Sequence, residues 1–287
     1  MMKIDLHVHT TFSDGENTPQ EILKICKDND IKVLSITDHN NIDGVKKAIT
    51  ENPYPNIKVL PGVEFSARYK VKGANLHILG YNMDLDNVEL NSVLKEIMKD
   101  GVRRIESLLL QLKQNYDISF READVAEMFS ACGNIGRPEV AKLCVKYGYA
   151  PSVNYAFDNL LKPVDYKLVK KKINLSDKEC IQYIKNAGGI ACLAHPITLN
   201  KNIHDIKEYV KILMDFGLEA VEVYHSTHDR NFSNSMKELV NDLGLLYSVG
   251  SDYHGPLVRP DVKLGSGINN NLNFENATIL SKILRSD

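Results

Sequence analysis

Seven of the nine histidines in this 287-residue chain fall at one end of a short apolar run or in the turn that follows one: His77 opens its run, and His7, His9, His39, His195, His225 and His254 stand at the far end of theirs or just beyond. Such runs read as buried strands, and the exits of strands are where α/β enzymes gather their ligands. His7-Val8-His9 is an H-x-H pair, and period-2 geometry points both rings to one face, toward one cation. Nine randomly placed histidines yield about 0.3 such pairs, so the pair alone decides nothing. Carboxylates occupy the same kind of position. Asp14 stands in the turn Ser13-Asp14-Gly15, Asp38 precedes His39 and suits the cap of the next helix, and Asp252 forms a D-x-H pair with His254. Glu64 sits between Val63 and Phe65; a carboxylate there must be paired, protonated or metal-bound to offset desolvation. His7, His9, Asp14, His39, Glu64, His77, His195, Asp252 and His254 offer only nitrogen and oxygen donors. That set suits divalent Mn²⁺, Fe²⁺ or Zn²⁺ and does not choose among them.

The elements that must position these groups are legible as runs. Strands are expected at Ile4–Val8, Val33–Ile36, Val59–Val63, Leu76–Leu79, Ile190–Ala194, Ala220–Val223 and Leu245–Val249, all of the buried parallel type. Thr18 followed by Pro19-Gln-Glu is a helix start. Further helices are expected near 43–50, 176–187, 203–215, 230–243 and 275–284. The alternation predicts an α/β fold, a (β/α) barrel or an open sheet. Residues 86–172 break the rhythm with helices alone, at Asn91–Asn115, 121–131 and 137–147, and read as an inserted helical subdomain; Lys170-Lys171-Lys172 reads as a solvated connector.

Composition sets the partners. Lys and Arg number 35 against 37 Asp and Glu, a net charge of -2, so no global field holds long nucleic acid non-specifically. No apolar run approaches a membrane span. The five scattered cysteines, Cys26, Cys132, Cys144, Cys180 and Cys192, argue against a disulfide framework and for a cytoplasmic setting.

As an ordered set, His7-Val-His9, Ser13-Asp14-Gly15, Thr37-Asp38-His39, Gly62-Val63-Glu64, His77, Ala194-His195-Pro196 and Gly250-Ser-Asp252-Tyr-His254 resemble the polymerase-and-histidinol-phosphatase (PHP) superfamily of metal-dependent phosphoesterases. The resemblance implies a distorted (β/α)7 barrel over 1–85 and 173–287, with 86–172 as an inserted lid or substrate subdomain. It also implies two or three divalent metal ions: His7, His9, Glu64 and Asp252 on the first, Glu64, His77 and His195 on the second, with Glu64 bridging, and Asp14, His39 and His254 on the third.

Gly136-Arg137-Pro138 and Glu219-Ala-Val-Glu-Val-Tyr224-His225 are similar to the subgroup acting on nucleoside phosphates. This similarity implies an AMP-like mononucleotide, a 3′,5′-nucleoside bisphosphate or a short RNA 5′ end as substrate. Arg137 would contact the phosphate, His225 would bind phosphate or assist the leaving group, and a metal-bridging hydroxide would attack, with Glu64 and His195 central to catalysis. Histidinol phosphatase, amidohydrolase and a non-catalytic PHP metal-binding module remain the alternatives. Tyr147, Tyr149, Tyr155 and Phe157 suit a core better than a base-stacking surface, and His204 and His228 read as surface residues.

Overall fold

A computed structural model of the protein describes residues 2–131, 135–165, 172–272 and 277–284. The chain divides into two compact units, Met1–Ser92 with Leu175–Asp287, and Val93–Asn174. In chain order the helices are α1 (Pro19–Asp28), α2 (Asp43–Thr50), α3 (Val88–Tyr116), α4 (Glu122–Ala131), α5 (Arg137–Lys146), α6 (Val153–Ala156), α7 (Lys162–Asp165), α8 (Asp177–Asn186), α9 (Ile203–Asp215), α10 (Arg230–Asp242) and α11 (Ile279–Ile283).

Among the described residues the first unit holds all the strands. β1 (Lys3–Val8), β2 (Ile31–Ile36) and β3 (Lys58–Leu60) form a parallel sheet in that order. β4 (Gly62–Ala67), β5 (Leu76–Tyr81), β6 (Ile190–Leu193), β7 (Ala220–His225) and β8 (Leu246–Gly250) form a second sheet, also in order. Two expectations need correction. The strand read across Val59–Val63 is two strands, because Pro61 has no N–H to continue a ladder; β3 joins one sheet and β4 the other. The strands are also not all parallel: β4 with β5 and β5 with β6 run antiparallel. The connection at 68–75 contains no helix, and so short a link permits only antiparallel pairing.

Backbone hydrogen bonds join the two sheets at two seams, both made by candidate ligand residues or their neighbours. At one, the His9 N–H donates to the Tyr253 carbonyl at 2.9 Å and the Asp252 N–H to the His7 carbonyl at 2.8 Å. At the other, the Asn40 N–H donates to the Glu64 carbonyl at 2.9 Å and the Glu64 N–H to that of Asp38 at 3.3 Å. The first seam requires glycine at 250, since a Cβ there would lie 2.2 Å from His7 Cβ.

Local rules explain the covering helices. α1 starts where expected: Thr18 accepts from the Glu21 N–H at 3.3 Å while Glu21 accepts from the Thr18 N–H at 2.7 Å. Its Ile22, Leu23 and Cys26 are buried with Leu6, Val8, Ile36, Phe65 and Val249 in the core, each large side chain contributing about 1.5–3 kcal/mol. Of the helix expected over 275–284, 275–276 lie outside the described residues and the helix begins at Ile279.

The second unit shows no strand among its described residues and has its own core, including Leu108, Leu112, Val140, Leu143 and Leu161. Tyr147 and Phe157 pack against it, whereas Tyr149 and Tyr155 are exposed. Lys170 and Lys171 of the lysine run lie outside the described residues.

Candidate metal centre

β1 delivers His7 and, one residue beyond its end, His9; both are fully buried. The turn after them carries Asp14 and is tied down by Asp38. That carboxylate accepts from the Thr10 N–H at 2.7 Å, the Thr10 hydroxyl at 2.7 Å and the Ser13 hydroxyl at 2.6 Å. Asp38 therefore does not cap α2, whose N-cap position is Ile42 with no side-chain bond.

Glu64, on β4 and 1% exposed, is the centre of the site. Its Oε2 lies 3.3 Å from His7 Nε2, 3.2 Å from His9 Nε2 and 3.1 Å from His39 Nδ1. Its Oε1 lies 2.8 Å from His77 Nδ1 and 2.9 Å from His195 Nε2. Asp252 Oδ1 stands 3.2 Å from His9 Nε2 and 3.5 Å from His7 Nε2. Asp14 Oδ1 stands 3.4 Å from His9 Nδ1 and 3.3 Å from His254 Nε2, and His39 Nε2 is 3.8 Å from Asp14 Oδ2. All nine residues thus converge. Their donor atoms fall into overlapping sets, each within 4.8 Å: His9 with Asp14, His39 and His254; His7 with His9 and Asp252; His7 with Glu64 and His195; His39 with Glu64 and His77. A cavity of about 250 Å³ opens onto seven of the nine, all but His7 and His9, and is also lined by His225, Thr198, Thr227 and Arg259.

Two of these positions hold unusual backbone. His195 has φ 23° and Asp252 φ 54°, a region non-glycine residues enter at a cost and mostly at functional sites.

The electrostatics call for positive charge. Burial alone would push the His7 imidazole down, yet Glu222, Glu64 and Asp252 hold it well above its ordinary range. The same competition, with Asp252 and Glu64 prevailing over burial, leaves His9 at about 10. At His39 burial prevails and the ring is pushed down to about 4. Burial opposes the ionised forms of Glu64, Asp252 and Asp14, but the surrounding imidazoles hold all three below the usual carboxylate range.

Divalent cations meet the same demand without protonating the ligands. The buried atoms His7 Nε2, His9 Nε2 and Asp14 Oδ1 make no hydrogen bond, although opposite partners stand 3.2–3.5 Å away. Donor atoms facing one another without bonding, all nitrogen or oxygen, fit a cluster of cations.

His225 is buried on β7, with Nε2 3.2 Å from Asp252 Oδ2. Its Nδ1 accepts the Thr227 N–H at 3.1 Å, so the neutral ring carries its proton on Nε2. Arg137 belongs to the second unit and opens α5, exposed, with its guanidinium over the Phe157 ring at 5.8 Å. His204 is exposed as expected, but His228 is not a surface residue: it is 1% exposed, and its Nδ1 is 2.9 Å from the Val223 carbonyl.

Three buried carboxylates matter more than their sequence context indicates. Beside Asp38, Asp5 accepts from the Ser251, Gly265 and His7 N–H groups at 2.8, 2.7 and 3.3 Å, and burial pushes it up to about 6. Glu222 faces His7 Nδ1 at 3.0 Å and accepts the His195 N–H at 2.8 Å. The one available signal was the apolar setting that drew attention to Glu64; Asp5 lies between Ile4 and Leu6, and Glu222 between Val221 and Val223.

Comparison with known proteins shows the family. Residues 5–193 match the PHP domain family. The chain is 26% identical over 259 residues to a 5′-3′ exoribonuclease of Haemophilus influenzae, covering 88% of this chain and 90% of that protein. It is 27% identical over 261 residues to a 3′,5′-nucleoside bisphosphate phosphatase of Chromobacterium violaceum, covering 89% and 88%. A solved structure of a Chromobacterium violaceum amidohydrolase, with bound sulfate and no metal, is similar at TM-score 0.74 and 26% identity, over 91% of this chain and 89% of that one. With more than half of its length inside the family match, this chain belongs to the PHP domain family.

Proposed function

We propose that the protein is a metal-dependent phosphoesterase that hydrolyses a phosphate monoester of a nucleotide-type substrate: an AMP-like mononucleotide, a 3′,5′-nucleoside bisphosphate or the 5′ end of a short RNA. The observation that carries this reading is Glu64, one buried carboxylate whose two oxygens face five imidazoles in two separate groups. Such a carboxylate suits a ligand shared by two cations. His7, His9 and Asp252 complete one set, His77 and His195 a second, and Asp14, His39 and His254 a third, for two or three Mn²⁺, Fe²⁺ or Zn²⁺ ions. When bound, such ions supply the Lewis acidity that makes hydroxide available near neutral pH.

The chain's own groups bind and orient the substrate. Arg137, beside Pro138 in the first turn of α5, pairs a guanidinium with helix N-terminal amides, a combination that favours phosphate. His225, held by burial below its ordinary pKa, donates from Nε2 to a phosphate oxygen as the neutral ring. Thr198 fixes the His195 ring through Nδ1 at 2.9 Å, and the buried walls around Glu64 limit water to what the cavity admits.

The reading takes 1–85 and 173–287 as a distorted (β/α)7 barrel, supported by the two seams between the sheets, and 86–172 as the inserted subdomain supplying substrate contacts. It places the protein in a reducing, cytoplasmic setting. Cys26, Cys144, Cys180 and Cys192 are buried thiols outside any disulfide, and no helix among the described residues is long and apolar enough to cross a membrane.

The test is phosphate release by Mn²⁺-loaded protein from AMP, 3′,5′-bisphosphates, histidinol phosphate and 5′-phosphorylated oligonucleotides, with an N-acyl amide alongside. Preference for a nucleotide supports the proposal. The Chromobacterium structure described as an amidohydrolase favours the amide reading and its bound sulfate, a phosphate mimic, the phosphate one; amide cleavage without phosphate release decides for the former.

A further inference from the structure

The segment Glu219 to His225 holds a group the proposed reaction leaves unused. Glu222, on β7 and fully buried, belongs to none of the three cation sets above. Its Oε1 lies 3.0 Å from His7 Nδ1, and its Oε2 accepts the His195 N–H at 2.8 Å. His7 lies on β1 and His195 just past β6, and the proposed assignment gives them to different cations. We infer that Glu222 is a positioning residue that sets one ligand of each of two cations at once, fixing the tautomer of His7 and the backbone of His195.

At His7, a proton held on Nδ1 by the carboxylate leaves Nε2 unprotonated and turned toward Glu64 and Asp252, at 3.3 and 3.5 Å. A carboxylate behind a ligating imidazole sets ring orientation and raises its basicity. At His195 the constraint is on the main chain. The residue has φ 23° and ψ 65°, sparsely populated for a side chain with a Cβ. The Glu222 bond to its N–H and the Thr198 contact to its ring together leave Nε2 at 2.9 Å from Glu64 Oε1. Glu222 could instead be a ligand itself, since donor atoms of His7, Glu222 and His225 lie within 4.8 Å of one another. Both of its oxygens are already engaged by N–H groups, which favours the bracing role.

The inference rests on the metal-centre reading, and the experiment separates the two. Wild-type and Glu222→Gln proteins are stripped of metal and titrated with Co²⁺, with stoichiometry and affinity read by calorimetry and visible absorption. The His7 tautomer is read by ¹⁵N NMR of Zn²⁺-loaded wild type. A glutamine offers one acceptor and one donor, so it satisfies one arm of the brace and opposes the other. The expected result is an unchanged number of Co²⁺ ions, an affinity about 10–100-fold weaker, and His7 protonated on Nδ1. Equal affinity, loss of a whole cation, or a His7 protonated on Nε2 overturns the inference. If Glu222→Gln does not fold, the wild-type tautomer decides alone. A wild type that binds no Co²⁺ sinks the metal-centre reading itself, whereas the other adverse outcomes sink only the role of Glu222.

Discussion

Replacing Gly250 with alanine probes the seam that sets His7 against Asp252. The new Cβ would sit 2.2 Å from His7 Cβ, 2.7 Å from its nitrogen and 2.9 Å from its Cα. These are main-chain atoms and the first side-chain carbon, so no rotamer change relieves the clash. Restoring ordinary contact moves β1 away from β8 by about 1 Å, and overpacking of this kind costs about 1–3 kcal/mol. For a chain of this size that corresponds to a melting temperature lower by roughly 5 °C. Function suffers more, because His7 and His9 ride on β1 while Asp252 follows β8, and a displacement of about 1 Å in a preorganised site costs on the order of 100-fold in rate. Thermal melts with kcat/KM for AMP or the best substrate of the screen measure both. A Gly250→Ala protein with wild-type melting temperature and turnover would refute the close-approach argument and the claim that this seam sets the ligands.

Other substitutions divide the site by role. Glu64→Gln and His195→Ala should each lower kcat by orders of magnitude while far-UV circular dichroism shows a folded chain; normal turnover in either removes the assignment. Arg137→Ala should raise KM with metal content unchanged, and loss of metal would show its role misjudged. Asp124 accepts hydrogen bonds from Arg121, Lys146 and Tyr147 within the second unit, and these hold its carboxyl below the usual range. A depressed native pKa adds stability that is present above the unfolded value of about 3.9 and lost as pH falls through the native one. Acid titration followed by hydrogen exchange in α4 and α5 should therefore show weakening protection from about pH 4 downward in wild type and a flatter profile in Asp124→Asn; identical profiles would exclude this contribution.

The ligands were legible because most lie within or just past a run of apolar residues, and period-2 geometry fixes which way a strand residue faces. His7-x-His9 and Asp252-x-His254 needed nothing else. Pairing direction was less legible. Pro61 in the middle of Val59–Val63 is a readable break and the short stretch at 68–75 a readable hairpin, but apolar periodicity by itself registers neither. The roles of Glu222, Asp5 and Asp38 are hidden for another reason. Their partners lie on other strands or on backbone groups of distant loops, as with Asp5 and the N–H of Gly265, and no local pattern encodes a contact of that kind. His228 escaped because its polar neighbours Ser226, Thr227 and Asp229 look like a surface turn, while the fold buries its ring against His225 and Phe232.

The most direct test of the whole account is the metal content of the wild-type chain. Protein stripped with chelator, reloaded with Mn²⁺, Fe²⁺ or Zn²⁺ and desalted should retain two or three divalent ions per chain by elemental analysis, and phosphate release should appear with them and vanish on chelation. A chain that retains none with any of the three metals, or that releases phosphate equally well without them, contradicts it.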